Sequence, residues 1–434
     1  MVKKLVPDPP NLKKYGVPLY SVAWVPKTVL KSIQNVTADD SSDADHKPLP
    51  ETAQPDEGKY LVFAGGGGQG RSGIPNSVLL AYFDVASVSL SDSPVYKLGT
   101  NSELPYRMTV HPNGDGIICA METPKSCRWF DWDQNETAEI HKLGLKVSEK
   151  VLTELDNVGL QLALAFDNDG TTLAAGGEDG SLRVFKWPSM ETIINESNAH
   201  STVKDLHFSF DGKLIVSLGG GGPCRVWDVS SAIALATLAN ENREIFSSCR
   251  FSQINDGTRV LYIVAGTEKG GSIVTWNTQT WERISSKLIS RDTICAFNVS
   301  ADGKFLACGT PSGEIVIVNS TNMHIHTKIK NAHLGIITAL AFSPDSRFGV
   351  FFFLPKFTVY GFMPCLKVFL VIIVGSVFRA LASVSLDSSA KVTVIEEKKN
   401  GGLSLWFAIL IILLAVAAYF LKVEGIEKLR LQYW

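Results

Sequence analysis

Short apolar runs alternate with polar turns along most of the chain, and the alternation has a period. Leu164-Ala165-Phe166 leads into the turn Asp167-Asn168-Asp169-Gly170, then into Leu173-Ala174-Ala175-Gly176-Gly177 and Leu182-Arg183-Val184-Phe185. About 42 residues on, Leu206-His207-Phe208-Ser209-Phe210-Asp211-Gly212 is followed by Leu214-Ile215-Val216-Ser217 and Cys224-Arg225-Val226-Trp227-Asp228. The pattern returns at Cys249–Asn277, at Ala296–Gly303 and at Leu340–Ser346, and a looser copy runs from Met108 to Trp132. Runs this short, bounded by Asp-Gly turns and rich in β-branched and aromatic residues, predict strands rather than helices.

A unit of about 40 to 46 residues that ends on Trp-Asp or a relative resembles the WD-repeat β-propeller. Each four-stranded unit has apolar faces that it cannot cover alone, and ring closure covers all of them. Counting a first unit near Val17–Val85 gives seven blades, so the expected fold is an all-β, seven-bladed WD-repeat propeller spanning 17–397 after an N-terminal arm, 1–16. His200 and His333, each after Ala and shortly before a new unit, match the histidine that supports the turn network in that family.

Two segments break the repeat. Residues 26–59 carry Asp39, Asp40, Asp43, Asp45, Glu51, Asp56 and Glu57 with little apolar content, and read as a disordered acidic loop within blade one. Residues 348–379 are an apolar insert, and deleting them joins Arg347 to Ala380 and restores the repeat as SPDSRALASVSLDSSAKVTV. Lys356, Pro364, Lys367 and Arg379 leave too short a clean run for a membrane span. The insert therefore reads as a translated intron or gene-model artefact, and as a threat to closure of the last blade. Past the repeats, Leu403–Leu421 holds no charge and has Trp406 and Tyr419 near its ends. As a helix it spans roughly 28 Å, the thickness of a hydrocarbon core. It predicts one C-terminal transmembrane helix, 403–421, with a lumenal tail, 422–434.

The chain has 434 residues and a formal net charge of −2, which gives no basic footprint for nucleic acid. Its seven cysteines, at 119, 127, 224, 249, 295, 308 and 365, form no C-x-x-C pair, which argues against common zinc frameworks and fits a reducing compartment. No apolar stretch follows Lys3-Lys4, so no cleaved signal is expected and the repeats should face the cytosol. Five N-x-[ST] triplets, at Asn35, Asn135, Asn195, Asn298 and Asn319, would argue the reverse only if they were used.

The candidate chemistry lies in Ala64–Asn76, AGGGGQGRSGIPN. Gly65–Ser72 is one residue away from a phosphate-binding P-loop, with Arg71 in place of the lysine. A P-loop must open a helix, whereas Val78-Leu79-Leu80-Ala81-Tyr82-Phe83 reads as a strand, leaving a hairpin connection or a contact loop. With the propeller and the terminal apolar segment, this loop resembles the endoplasmic-reticulum membrane guanine-nucleotide exchange factors for the small GTPase that initiates COPII vesicles, the prolactin regulatory element-binding protein family in its plant type. Tyr15-Gly16-Val17-Pro18-Leu19-Tyr20 and Leu104-Pro105-Tyr106-Arg107-Met108 share the resemblance.

The resemblance implies an exchange loop of Gly65, Gly66, Gly67, Gly68, Gly73, Ile74, Pro75 and Asn76, with Ile74 and Asn76 presented to the GTPase. It also implies a structural potassium ion held through Gly65, Gly67, Gly68 and Asn76, and a single-pass endoplasmic-reticulum location with the propeller in the cytosol. Exchange requires no covalent chemistry, so no catalytic residues are expected. The other reading is a membrane-anchored trafficking adaptor that assists the exit of specific cargo, such as a phosphate transporter, without exchange activity.

Overall fold

The computed structural model describes residues 8–31, 59–68, 72–134, 141–241, 243–253, 258–344, 348–353, 372–377 and 379–396. Among the described residues seven antiparallel sheets of four or five strands form the blades. The first joins Leu19–Trp24, Lys59–Gly65 and Ser77–Asp84, and Ser89–Leu90 and Tyr96–Gly99 both pair with the last of these. The innermost strands are Leu19–Trp24, Pro105–Val110, Gln161–Phe166, Val203–Phe208, Ile245–Gln253, Ala296–Val299 and Ile337–Phe342. Each packs on the next and the last packs on the first, closing a seven-bladed propeller.

Neighbouring sheets cover both faces of each blade, which explains why middle strands are apolar runs rather than alternations. Val216, Leu218 and Val226 of one blade meet Phe246, Leu261 and Ile263 of the next, all at 0–1% exposure. Each such side chain contributes about 1.5–3 kcal/mol on burial. His200 Nε2 lies 2.8 Å from Ser217 Oγ, which also accepts a 2.8 Å bond from Trp227 Nε1–H. His333 is bracketed by Ser389 Oγ at 2.6 Å and Ser383 Oγ at 2.8 Å. Burial pushes both imidazoles down to about 4, so the rings are neutral members of a scaffold network.

The expected N-terminal arm is corrected in its last part. Leu12–Lys14 pairs antiparallel with Ser389–Ile395 and supplies the outermost strand of the closing blade, whose order is Leu12–Lys14, Ser389–Ile395, Arg379–Ser385, Ile337–Phe342. The first and last parts of the propeller thus share one sheet.

The expected acidic loop is corrected at both ends. Residues 27–31 form a helical turn after Pro26, with Val29 2% exposed in the core between the first two blades, and Lys59 opens a strand. The intervening residues, 32–58, lie outside the described residues, as do the expected span 403–421 and the tail 422–434. Two compact units divide the chain, Met1–Ile395 and Glu396–Trp434. Among the described residues no helix is long and apolar enough to cross a membrane.

The insert does not break closure. Phe348–Phe353 and Ile372–Val377 form a two-stranded hairpin of their own, while Phe342 stays in register with Leu381. In the closing blade Ser343 N–H donates to Ala380 O at 2.8 Å, and Ala380 N–H donates to Ser343 Oγ at 3.2 Å, across 37 positions. The same bonds join Ser209 to Leu214 and Ser300 to Phe305 across five positions. Taking the 32 residues of 348–379 out of 37 leaves five.

Arg379 is not part of the anomaly. It is 3% exposed, opens strand Arg379–Ser385, ion-pairs with Asp302 at 2.5 Å and lies over the Phe305 ring at 5.3 Å. Deleting 348–379 or 347–378 yields one and the same sequence, with an arginine before Ala380 in either case. The shortened chain is therefore expected to fold with the same closing blade and to melt within about 2–4 °C of the full chain, a difference of about 1 kcal/mol. Thermal unfolding followed by circular dichroism measures this, and loss of a cooperative transition would mean that the insert supports the blade.

Candidate functional site

The glycine loop connects Lys59–Gly65 to Ser77–Asp84, two paired strands of the first blade. Its base is tight. Gly66 N–H donates to Pro18 O at 3.0 Å, and Gly65 and Gly66 are buried. A methyl group on Gly66, whose φ is +151°, would fall 2.2 Å from Asn76 Oδ1 and 2.6 Å from Asn76 Cα, so only glycine fits there. Gly68 turns the chain at φ +73°.

Asn76 holds the loop together. Its Oδ1 accepts from Gly68 N–H at 3.0 Å, its Nδ2 donates to Gly68 O at 3.4 Å and to Asn101 O at 3.1 Å, and its own carbonyl accepts from Thr100 N–H at 3.0 Å. The expectation that Asn76 presents its side chain to a partner is corrected, because the residue is 3% exposed and faces inward. Glycines offer no side chains to satisfy their own polar backbone, and the neighbouring amide has the donor and acceptor to do so. Ser72, Gly73, Ile74 and Pro75 form the exposed part, and Ile74 N–H donates to Ser72 Oγ at 3.3 Å. Pro75 restricts Ile74 to extended backbone. Gln69, Gly70 and Arg71 lie outside the described residues.

Beside the loop is a groove of about 540 Å³ lined by Tyr20, Gly67, Gly68, Leu104, Tyr106, Glu122, Thr123 and Lys125. The Tyr20 and Tyr106 rings pack at a tilt of 44° with centroids 5.5 Å apart, and Arg107 covers the Tyr106 ring at 5.1 Å. Burial raises the Tyr20 hydroxyl, and the Glu122 carboxylate and Tyr106 add to the effect. Tyr20 and Tyr106 belong to the segments that carried the resemblance, whereas no repeat or motif singled out Glu122 or Lys125. The central channel, about 1060 Å³, is different in kind: Arg250, Asp205 and Arg107 there serve contacts between blades, Arg250–Asp205 at 2.6 Å and Arg107 Nε–H to Leu162 O at 3.0 Å.

Neutral oxygens such as those of Gly65, Gly67, Gly68 and Asn76 are the donor type that potassium takes. As arranged, however, Asn76 Oδ1 holds the Gly68 N–H, and the Asn76 Nδ2 hydrogens point at the Gly68 and Asn101 carbonyls. An amide makes the crosslink here. Among the described residues no group of three His, Cys, Asp or Glu side chains gathers as a metal site.

The closed ring and the Trp227–Ser217–His200 network define a WD-repeat propeller. The WD domain, G-beta repeat family matches residues 156–186 and 191–228. A solved structure described as "COPII on membranes, outer coat vertex" superposes with a TM-score of 0.59 at 12% identity, over 91% of this chain and 87% of that one, a likeness of fold alone. SEC12-like protein 2 of Arabidopsis thaliana is 45% identical over 391 residues, 90% of this chain and 89% of that protein. The guanine nucleotide-exchange factor SEC12 of Mus musculus is 23% identical over 398 residues, 81% of this chain and 89% of that protein. The chain belongs to the SEC12-like family.

Proposed function

We propose that the chain is a guanine-nucleotide exchange factor for the small GTPase that initiates COPII vesicle formation, acting in endoplasmic-reticulum-to-Golgi transport. The observation that carries this is a glycine loop braced at its base by a buried asparagine, with Ile74 and Pro75 exposed, on a chain related to named exchange factors. Exchange follows when the loop binds the nucleotide-free GTPase better than the GDP-bound form, because only that difference shifts the population. Ile74 and Pro75 then make the contact while Gly65, Gly66, Gly67, Gly68 and Gly73 provide the bend and Asn76 fixes it. No covalent step is involved.

The uncharged run 403–421 supports an anchor in the endoplasmic-reticulum membrane, with the propeller in the cytosol and 422–434 in the lumen. Potassium enters this reading only if the Asn76 amide turns over, which would aim Oδ1 at the Gly68 and Asn101 carbonyls and give three oxygens to one cation. The test is release of labelled GDP from the COPII GTPase by the full chain in detergent. An acceleration of at least about tenfold, equivalent to about 1.4 kcal/mol of differential binding, is expected. A rate equal to that of the GTPase alone would overturn the exchange reading and favour a trafficking adaptor.

A further inference from the structure

We propose that Glu122 is the carboxylate which this surface places into the partner's emptied phosphate site. This rests on the exchange reading and adds the group that would separate the nucleotide-free from the GDP-bound partner. Glu122 opens the turn between strands Ile117–Met121 and Ser126–Gln134, and its backbone N–H is fixed to Leu104 O at 2.9 Å. It stands against the glycine loop, since a methyl group on Gly68 would lie 3.5 Å from Glu122 Oε2. The side chain is exposed at the edge of the groove shared with Gly67, Tyr20 and Tyr106.

The carboxylates around Glu122 are occupied. Glu103 pairs with Arg128 at 2.5 Å, Asp179 with Arg183 at 2.7 Å, and Glu178 with Lys125 at 2.5 Å while also accepting Leu160 N–H at 3.1 Å. Lys125 belongs to the same turn as Glu122, yet its ammonium is drawn to Glu178 on the next blade. Among the described residues, the Glu122 carboxylate makes no hydrogen bond or ion pair. Its backbone is held while its carboxylate, next to the glycine loop, has no cation partner among the described residues.

A small GTPase holds the phosphates of its nucleotide with a cradle of backbone N–H groups, a lysine and Mg²⁺. When the nucleotide leaves, that lysine loses its anion, and an unpaired cation in a closed site is costly. A carboxylate offered at that point pairs with the lysine in the empty state. In the GDP-bound state the phosphate already pairs with that lysine, and the carboxylate finds no partner there. Glu122 therefore contributes affinity to one state and none to the other, which is the asymmetry that exchange requires.

The test compares Glu122→Gln and Glu122→Asp with the wild-type full chain, by GDP release and by affinity for the GTPase in its nucleotide-free and GDP-bound forms. Glu122→Gln keeps the shape and removes the charge, so the melting temperature should not move. Its affinity for the nucleotide-free form is expected to fall about tenfold, as for loss of one charge-assisted contact, with GDP release slowed alike and GDP-bound affinity unchanged. Glu122→Asp should recover part of the loss. Exchange by Glu122→Gln at the wild-type rate, or an equal fall in both affinities, would overturn the role of Glu122 while leaving the exchange reading intact. A wild-type chain that releases no GDP would overturn both.

Discussion

Asn76→Ala is expected to reduce GDP release by at least about tenfold while the propeller stays folded, because the side chain organises the loop and not the blade. The truncation leaves Gly68 N–H and Asn101 O without the partners they have at 3.0 and 3.1 Å. Each unsatisfied polar group costs roughly 1–3 kcal/mol if it stays where it is, and the loop relieves that cost by moving into water. The result is a loop with its glycines intact and its shape lost, so that Ile74 no longer meets the partner in a fixed position. Gly66→Ala should reproduce the defect from the other side, since its methyl group would displace Asn76 from a distance of 2.2 Å. Hydrogen exchange of the 66–76 amides together with the exchange rate checks both. Wild-type activity in Asn76→Ala would mean that the clasp is incidental.

What the sequence displays of this fold is what the blades repeat in side chains. In three blades the turn preceding the second strand uses one serine to bond its own backbone, at Ser209, Ser300 and Ser343, and Asp167 takes the same place in another, so similar letters recur at these turns. The histidine and tryptophan positions recur for the same reason: Ser217 needs both His200 and Trp227. The tripeptide Leu12-Lys13-Lys14 shows no such signal. It is a strand because Ser389–Ile395 offers an open edge, with a partner at Lys391 that lies across the whole length of the ring. Arg379 and Arg347 are interchangeable as letters, and only the ion pair with Asp302 decides which one belongs to the blade here.

The candidate site was legible to a different degree. Six glycines in thirteen residues marked the loop, and Pro75 marked the extended display of Ile74. The inward turn of Asn76 had no local sign, because it depends on the Asn101 carbonyl, 25 residues away. Glu122 had none either. Its significance arises from Lys125 being paired with Glu178 of the next blade, a contact across 53 positions that neither composition nor period encodes.

Deleting residues 1–14 is expected to produce the largest loss of stability, since it reopens the ring at its one seam. The deletion removes the pairing of Leu12, Lys13 and Lys14 with Lys391, Ala390 and Ser389. It also removes the bond from Asn11 Nδ2–H to Val392 O at 2.8 Å, that from Val392 N–H to Asn11 O at 3.0 Å, and that from Leu90 N–H to Pro10 O at 3.0 Å. At about 1 kcal/mol net for each hydrogen bond, the loss is several kcal/mol, and the melting temperature should fall by about 5–15 °C. Ser389–Ile395 would then present an unpaired edge, so the shortened chain should also associate as its concentration rises. Lys13→Ala separates the ladder from the charge. Its ion pair, 2.6 Å from an Asp92 that is 92% exposed, is worth no more than about 1 kcal/mol, so this variant should melt close to wild type. Calorimetry of the three chains decides the matter. Equal melting of the deletion and the full chain would show that the seven inner strands close the ring without the seam.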